Sequence, residues 1–332
     1  MSKDSAKIEE AISDLRNKKK AKNRYNIDDQ GKMTDYLGIN FGTNDQGRSK
    51  LWQPHFIDQI VEESGLGERC KVKPTPAAST KPLRRHRNEP NAKCPFHYRR
   101  MIGNLNYLEK SSRPKIAYAV HQCARFCEEP KQQHVDAVMH LVKYLKGTRN
   151  EGMYLHPKAD KAFEVWVDAD FSGNYDKVTA RSDPSTAKSR SGFVITYAGC
   201  PIQWASKLQT QIALSTCEAE YISLSQSLRE AMPLMNLAQE LKDKGFSCEF
   251  TKPKVRCKVF EDNTGALALA KVPKIRPRTK HINLMYHHFR EAVRDGKIDI
   301  EHLDTEDQVA DIFTKPLPQN LFLKFRRRIM FW

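Results

Sequence analysis

The chain has 332 residues and carries 56 lysine and arginine residues against 40 acidic residues, which gives a formal net charge of +16. A chain this basic attracts polyanions, because each phosphate that it neutralises releases condensed counterions. Nucleic acid is favoured as a partner over an anionic membrane, since the pattern contains no strongly amphipathic basic helix. No apolar run reaches the roughly 18 residues that a membrane span requires, so we expect no membrane partner.

The eight cysteines are scattered along the chain, and the closest pair, Cys123 and Cys127, lacks the spacing of a zinc ribbon. This pattern is typical of reduced thiols in a reducing compartment. The N-terminus is polar and charged, so we expect no secretory signal. Together these features predict an intracellular protein, either cytoplasmic or nuclear.

The first half of the chain begins with a charge-rich segment and continues with predicted strands and helices. Residues 1–34 are charge-rich and predict a charged, solvated tail. Tyr36–Phe41 predicts a strand, Lys50–Trp52 a returning strand and Ile57–Ser64 a helix. Residues 96–146 predict a small helical unit, because apolar residues recur there at helical spacing. The pattern shows no chemistry in this unit.

The second half, after Lys158, predicts an α/β fold that ends in a basic tail over residues 321–332. The length of the chain agrees with two domains. Alternation predicts five strands: Phe163–Asp168, Gly192–Tyr197, Ile202–Trp204, Val255–Phe260 and Lys297–Leu303. Helical spacing and caps predict helices from Ser215 or Thr216 to Lys242, from Thr264 onward, from His281 to Arg294, and from Thr305 to Pro316.

Acidic residues stand where predicted strands end. Asp168 ends the first strand and Asp262 follows the fourth, and sites in open sheets gather at strand ends. On the long helix, the apolar stripe places Glu220 near its edge and Glu218 toward solvent, which favours Glu220 as a site residue.

The last predicted helix offers two further candidates. Asp307 and Asp311 are four residues apart and share a helix face, so the spacing alone does not choose between them. Clustered carboxylates raise each other's pKa values, and divalent cations remove that penalty. Hard, oxygen-preferring Mg²⁺ or Mn²⁺ is the metal that such a cluster selects. Two ions roughly 3.5–4 Å apart can activate a water and stabilise a departing phosphodiester oxygen.

At these residues the sequence resembles the C-terminal part of the polyprotein of copia-type retrotransposons. The matching segments keep their order and spacing over residues 160–320, and they are Val167–Gly173, Ser189–Phe193, Trp204–Gln209, Leu214–Tyr221, Glu261–Asn263, Arg278–Ile282 and Gln308–Leu317. The resemblance implies a ribonuclease H domain over 160–320, with a five-stranded mixed sheet flanked by helices. It also implies that Asp168, Glu220, Asp262 and Asp311 are the catalytic and metal-binding set.

The resemblance extends upstream, where residues 35–157 look like the C-terminal part of that family's reverse transcriptase. The matching segments are Asp29–Gly31, Tyr36–Ile39, Tyr98–Leu105, Arg113–Ile116 and Tyr144–Thr148. Lys115 stands where the family usually has Asp. The Tyr-x-Asp-Asp hairpin of the polymerase has no counterpart, since Asp28-Asp29 has polar neighbours, so we expect no DNA polymerisation.

Three functions remain open from the sequence. The first, which the four carboxylates favour, is a ribonuclease H that uses two Mg²⁺ or Mn²⁺ ions to cut the RNA strand of RNA–DNA hybrids. The second is a non-catalytic nucleic-acid-binding remnant of a truncated element, with apolar surface exposed on its helical unit. The third is a reverse transcriptase fragment that needs its missing palm from another polypeptide.

Overall fold

The computed structural model describes residues 5–16, 33–44, 47–78, 82–85, 89–158, 160–178, 180–181, 183–245, 256–271 and 284–331. The helices are α1 (Ser5–Arg16), α2 (Pro54–Glu63), α3 (Tyr98–Ser112), α4 (Ala117–Ala124), α5 (Gln132–Gly147), α6 (Thr216–Asp243), α7 (Thr264–Lys271), α8 (Arg290–Arg294), α9 (Asp311–Thr314) and α10 (Gln319–Met330). The strands are β1 (Asp35–Tyr36), β2 (Ile39–Thr43), β3 (Ser49–Trp52), β4 (Met153–Leu155), β5 (Phe163–Asp170), β6 (Arg190–Tyr197), β7 (Cys200–Leu208), β8 (Cys257–Glu261) and β9 (Ile298–His302). Two of the segments used above, Asp28-Asp29 with Gly31 and Arg278–Ile282, lie outside the described residues.

The second half of the chain forms one five-stranded mixed sheet in the order β7-β6-β5-β8-β9. Strand β5 pairs antiparallel with β6 and parallel with β8, while β6–β7 is antiparallel and β8–β9 is parallel. Helix α6 covers one face, where Val165 and Val167 join Leu224 and Leu228 in a buried core. The α/β fold with a five-stranded mixed sheet flanked by helices, as in ribonuclease H, is therefore confirmed.

The third strand is longer than the sequence pattern predicts. Strand β7 runs from Cys200 to Leu208, whereas alternation predicts only residues 202–204. Ala198 and Gly199 both have positive φ, 52° and 75°, so they form the tight turn that returns the chain from β6 into β7. The polar residues of β7 hide its alternation, and pairing with β6 determines its length instead.

The other face of the sheet packs against the helical unit. Val194 and Trp204 of the sheet belong to the same buried core as Leu105 of α3 and Leu141 of α5. The indole Nε1 of Trp204 donates to the buried Glu109 carboxylate of α3 at 2.8 Å. The apolar surface that a remnant would expose is thus covered, on this side, by the sheet.

The C-terminal segment closes this same core. Residues 319–330 form α10, whose apolar face buries Phe322, Phe325 and Ile329. The expectation of a solvated basic tail is wrong for these residues, because Arg327 and Arg328 lie on the exposed face of an amphipathic helix whose other face is buried. The pattern i, i+3, i+7 of Phe322, Phe325 and Ile329 was the available signal.

A second, antiparallel sheet has the strand order β1-β2-β3-β4. Along the chain, β1 to β3 precede the helical unit and β4 follows it. The single strand predicted over Tyr36–Phe41 is wrong, because Leu37 and Gly38 take positive φ values of 51° and 75° and turn the chain back. This turn separates β1 from β2 and pairs Tyr36 with Ile39. The strand over Lys50–Trp52 is confirmed within β3.

Two predicted helices near the C-terminus are interrupted. The segment predicted as one helix from Thr305 to Pro316 is a 3₁₀ turn at Thr305–Asp307 followed by α9. Gln308 between them is extended and fully buried, and its amide donates to the carbonyl of Val167 at 2.9 Å. This tertiary hydrogen bond overrides the helical spacing. The predicted helix over 281–294 likewise divides into a 3₁₀ turn at Leu284–His287 and α8, and residues 281–283 lie outside the described residues.

Candidate metal centre

Three of the predicted site residues meet at the end of the five-stranded sheet where the neighbouring strands β5 and β8 terminate. Asp168 lies near the end of β5, Glu220 in the second turn of α6, and Asp262 directly after β8. One carboxylate oxygen from each lies within 4.8 Å of the others. Asp168 and Glu220 are buried and Asp262 is half-buried, so the cluster opens to solvent at one side.

The topology explains why the two aspartates converge. Strands β5 and β8 are parallel neighbours, with Trp166 paired to Phe260, so Asp168 and Asp262 continue the same register at their carboxyl ends. The hydroxyl of Ser223, one turn beyond Glu220, donates to the backbone carbonyl of Asp168 at 2.8 Å. This bond ties α6 to β5 next to the cluster.

The electrostatics of the cluster are unfavourable without a cation. Burial raises the pKa of Asp168, and burial together with the neighbouring Asp168 charge raises the pKa of Glu220 well above its usual value. Glu220 Oε2 is buried without a hydrogen-bond partner. Buried carboxylates that face each other repel, and a divalent ion with oxygen ligands would compensate them. The donor set therefore fits a hard cation such as Mg²⁺ or Mn²⁺.

Asp311 approaches Asp168 from the opposite side of the cluster. It begins α9, which crosses the sheet so closely that a Cβ on Gly192 would lie 2.6 Å from Thr314 Cγ2. Burial and the Asp168 charge raise the pKa of Asp311 to about 7. The Thr314 hydroxyl donates to the Asp168 carboxylate. Asp311 is outside the group of three, and its carboxyl group interacts with that of Asp168.

Asp307 lies in a different environment from Asp311. It belongs to the 3₁₀ turn, and its exposed carboxylate pairs with Lys324 at 3.0 Å and Arg328 at 3.4 Å. The two aspartates do not share a helix face, since no continuous helix joins them. The structure brings Asp311, and not Asp307, to Asp168.

Glu218 does not point toward solvent as the helical stripe predicts. It is buried and closes the N-terminus of α6, where its carboxylate accepts from Leu214 N at 2.7 Å. Its own backbone N–H donates to the Ser215 hydroxyl at 3.1 Å, so Ser215 is the N-cap. Among the described residues, the carboxylate cluster does not include Glu218, because its side chain serves the helix cap.

Two charged residues near the cluster escaped the sequence reasoning. Glu261 is fully buried, and its Oε1 accepts from Asn263 N at 3.0 Å, while burial raises its pKa well above the usual value. Its alternation with Cys257 and Val259 on the inner side of β8 was the available signal. The second is Lys315, whose Nζ lies 2.8 Å from Asp311 Oδ1. Its i, i+4 spacing from Asp311 was visible in the sequence, but its proximity to Asp168 was not.

The loop after β5 presents two exposed aromatic side chains at the same end of the sheet. Phe171 and Tyr175 are 38 % and 48 % exposed. None of the helices in the described segments combines the length and the apolar character that crossing a bilayer requires.

Comparisons with known proteins find retrotransposon relatives. The chain is 29 % identical over 306 residues to the retrovirus-related Pol polyprotein from transposon RE1 of Arabidopsis thaliana. The aligned region covers 92 % of this chain and 19 % of that protein. It is 32 % identical over 311 residues to the Pol polyprotein from transposon TNT 1-94 of Nicotiana tabacum, covering 90 % of this chain and 21 % of that one. The chain thus spans about a fifth of the length of these relatives. No protein-family model matches it.

Among solved structures, the chain is similar to LC11-RNase H1, which was isolated from compost by a metagenomic approach. The identity is 17 %, the match covers 46 % of this chain and 92 % of that protein, and the TM-score is 0.31. Similarity at this level supports no inference about activity, so any function has to be argued from the site itself.

Proposed function

We propose that this chain, whose relatives are copia-type retrotransposon Pol polyproteins, is a ribonuclease H that hydrolyses the RNA strand of RNA–DNA hybrids. The proposed site consists of Asp168, Glu220, Asp262 and Asp311, which would hold two Mg²⁺ or Mn²⁺ ions. Its place would be in reverse transcription, together with the upstream part of the polyprotein. We also propose the division into residues 35–157, from the end of reverse transcriptase, and a ribonuclease H domain over 160–320.

The observation that carries this proposal is the buried carboxylate cluster with its unpartnered Glu220 oxygen. Oxygens of Asp168, Glu220 and Asp262 lie within 4.8 Å of one another, and Glu220 Oε2 is buried without a partner. A purely structural role does not explain such a group, because burying like charges together costs stability. Sites that need a metal ion tolerate this cost, since the ion offsets the repulsion when it binds.

The chain's own residues would do the positioning. Asp168 occupies the centre of the site, and the Thr314 hydroxyl that donates to its carboxylate fixes the orientation of that side chain. The Gln308 amide donates to the carbonyl of Val167, which fixes the segment that carries Asp311 against β5. Divalent ions bound there would supply the Lewis acidity that activates a water and stabilises the leaving oxygen.

The net charge of the chain and the exposed aromatic residues after β5 both favour a nucleic-acid substrate. The net charge of +16 favours a phosphate backbone, and hybrid duplexes are recognised by shape and 2′-hydroxyls rather than by sequence. The loop that follows β5 exposes Phe171 and Tyr175, whose aromatic faces could contact sugars or bases.

The test compares cleavage of a labelled RNA–DNA hybrid by the wild-type chain, Asp168→Asn and Asp307→Asn, with Mg²⁺ or EDTA. We expect Asp168→Asn to lower the cleavage rate by about a thousandfold or more, the scale of losing a group that stabilises transition-state charge. Asp307→Asn is the matched control, since its exposed carboxylate belongs to another cluster, and we expect it to stay within about twofold of wild type.

Two results would overturn the proposal. Asp168→Asn protein that still cuts hybrid would remove the assigned site. Folded wild-type protein that binds hybrid, with a steep dependence on salt and no Mg²⁺-dependent product, would favour the non-catalytic binding function.

A further inference from the structure

The two sides of Asp168 are built differently. On one side stand Glu220 and Asp262, whose oxygens complete the close group with Asp168. On the other side stands Asp311, whose carboxylate already holds the ammonium of Lys315 at 2.8 Å. The same ammonium interacts electrostatically with Asp168. One part of the centre therefore contains a buried Glu220 oxygen without a hydrogen-bond partner, and the other part contains a resident cation.

We infer that Lys315 is a competing cation that occupies the Asp311 side of the centre, so that one divalent ion binds tightly at Asp168, Glu220 and Asp262 and a second ion binds only by displacing the Lys315 ammonium. This inference rests on the proposed function, because it concerns the ions of the same centre. It adds an order of binding and a residue that determines it.

Charge explains why the ammonium and a second ion exclude each other. An ion that used Asp311 would share the carboxylate whose Oδ1 contacts the Lys315 ammonium at 2.8 Å, so the two cations would be close neighbours. Two cations at such a separation repel strongly, since the interaction scales inversely with distance and the site is partly shielded from water. The second ion can therefore bind only when the Lys315 side chain leaves.

The position of Lys315 makes such a movement feasible. It lies directly after α9, where the chain takes an extended conformation, and its side chain is 38 % exposed while that of Asp311 is only 4 % exposed. A lysine has a flexible stem of four carbons, so its ammonium can turn into solvent without moving the backbone. Asp311 stays in place, because it begins α9 between the sheet and the helical core.

The inference predicts a measurable asymmetry between the two ions. In the wild-type chain, the second ion should bind at least about tenfold more weakly than the first, because it must displace a unit charge. Replacing Lys315 with an uncharged residue of similar length should tighten the second site and leave the first nearly unchanged.

The experiment is calorimetric titration of Mn²⁺ into the full chain without nucleic acid. The samples are wild type, Lys315→Met, Lys315→Arg and the control Lys324→Met, whose exposed lysine pairs with Asp307 outside the centre. We expect Lys315→Met to tighten the weaker site about tenfold, while Lys315→Arg and Lys324→Met keep the wild-type pattern. Should Lys315→Met fail to fold, which thermal unfolding would reveal, Lys315→Gln replaces it.

The outcomes separate this inference from the proposed function. Two Mn²⁺ constants that are identical in wild type and Lys315→Met would overturn the role of Lys315 and leave the metal centre intact. Weaker binding of both ions in Lys315→Met would also overturn it, because the lysine would then support the site rather than compete for it. Wild-type protein that binds no Mn²⁺ would remove the proposed metal centre and this inference together.

Discussion

The two faces of the five-stranded sheet are covered in different ways. One face is closed locally, by α6 and other elements that lie between residues 163 and 300. The other face is closed by parts from both ends of the chain, since Val194 and Trp204 pack with α3, α5 and α10. The candidate metal centre lies at the end of the sheet between these two cores, with Glu220 from the first face and Asp311 from the second. The helical unit thus packs against α9, which carries Asp311, although the sequence of that unit contains no candidate catalytic residue.

The largest expected effect is on the free energy of unfolding, and it tests whether α10 belongs to the cooperative core of the fold. Phe325 of α10 is fully buried, so Phe325→Ala should lower the free energy of unfolding by about 3–5 kcal/mol. Leu228→Ala, on the opposite face and equally buried, should cost a similar amount of about 2–5 kcal/mol. Urea unfolding measures both. A loss below about 1 kcal/mol in Phe325→Ala alone would mean that the second face is not a cooperative core.

A smaller effect is expected where α9 crosses the sheet. A Cβ on Gly192 would lie 2.6 Å from Thr314 Cγ2 and 2.8 Å from Phe313 Cβ, so Gly192→Ala should destabilise the fold by about 1–3 kcal/mol. Gly103 in α3 is the control, because a Cβ there meets nothing within 4 Å. Gly103→Ala should be neutral or stabilise by up to about 1 kcal/mol, since alanine favours the helix. Equal effects of the two substitutions would contradict the close crossing.

The smallest expected effect is the change of stability with pH, measured with and without a divalent metal ion. The pKa of Asp311 is raised to about 7, and those of Asp168 and Glu220 are raised as well, mainly by burial. A folded-state pKa above the unfolded value means that the folded protein binds the extra proton. Stability of the metal-free protein should therefore fall as the pH rises from about 4 through about 7.

A divalent ion binds the deprotonated carboxylates, so Mg²⁺ should raise Tm more at pH 8 than at pH 5.5, by about 3 °C or more. Thermal unfolding with Mg²⁺ and with EDTA at both pH values measures this difference. Asp168→Asn should reduce it, because the substitution removes the central charge. A Mg²⁺ effect that is equal at both pH values would contradict the assignment of these carboxylates as ligands.

Much of the fold was visible in the sequence, for reasons that particular elements show. Strands β5 and β6 alternate cleanly, and Ser215 caps α6 with a residue type that prefers this position. The helix predicted from Thr305 fails because the buried Gln308 side chain bonds a strand carbonyl, and local spacing contains no such information. The C-terminal helix α10 was hidden by its arginine run.

The candidate site was predictable to the same extent. Asp168 and Asp262 follow from strand ends, and Glu220 from the helix face, and the structure brings these three together. Asp311 could be chosen over Asp307 only through the resemblance, because the assumed helix does not exist. Lys315 was not predictable as a neighbour of Asp168, since their proximity depends on how α9 crosses the sheet.

The proposed function rests on the claim that this chain cuts the RNA strand of a hybrid with the help of a divalent ion. The direct measurement uses an RNA–DNA hybrid with different labels on its two strands, incubated with purified protein and Mg²⁺, Mn²⁺ or EDTA, beside a DNA duplex of the same sequence. We expect the RNA strand to be shortened only when metal is present, while the DNA strands stay intact. A hybrid that stays intact with folded, hybrid-binding protein, or a DNA duplex that is cut equally well, would contradict the claim.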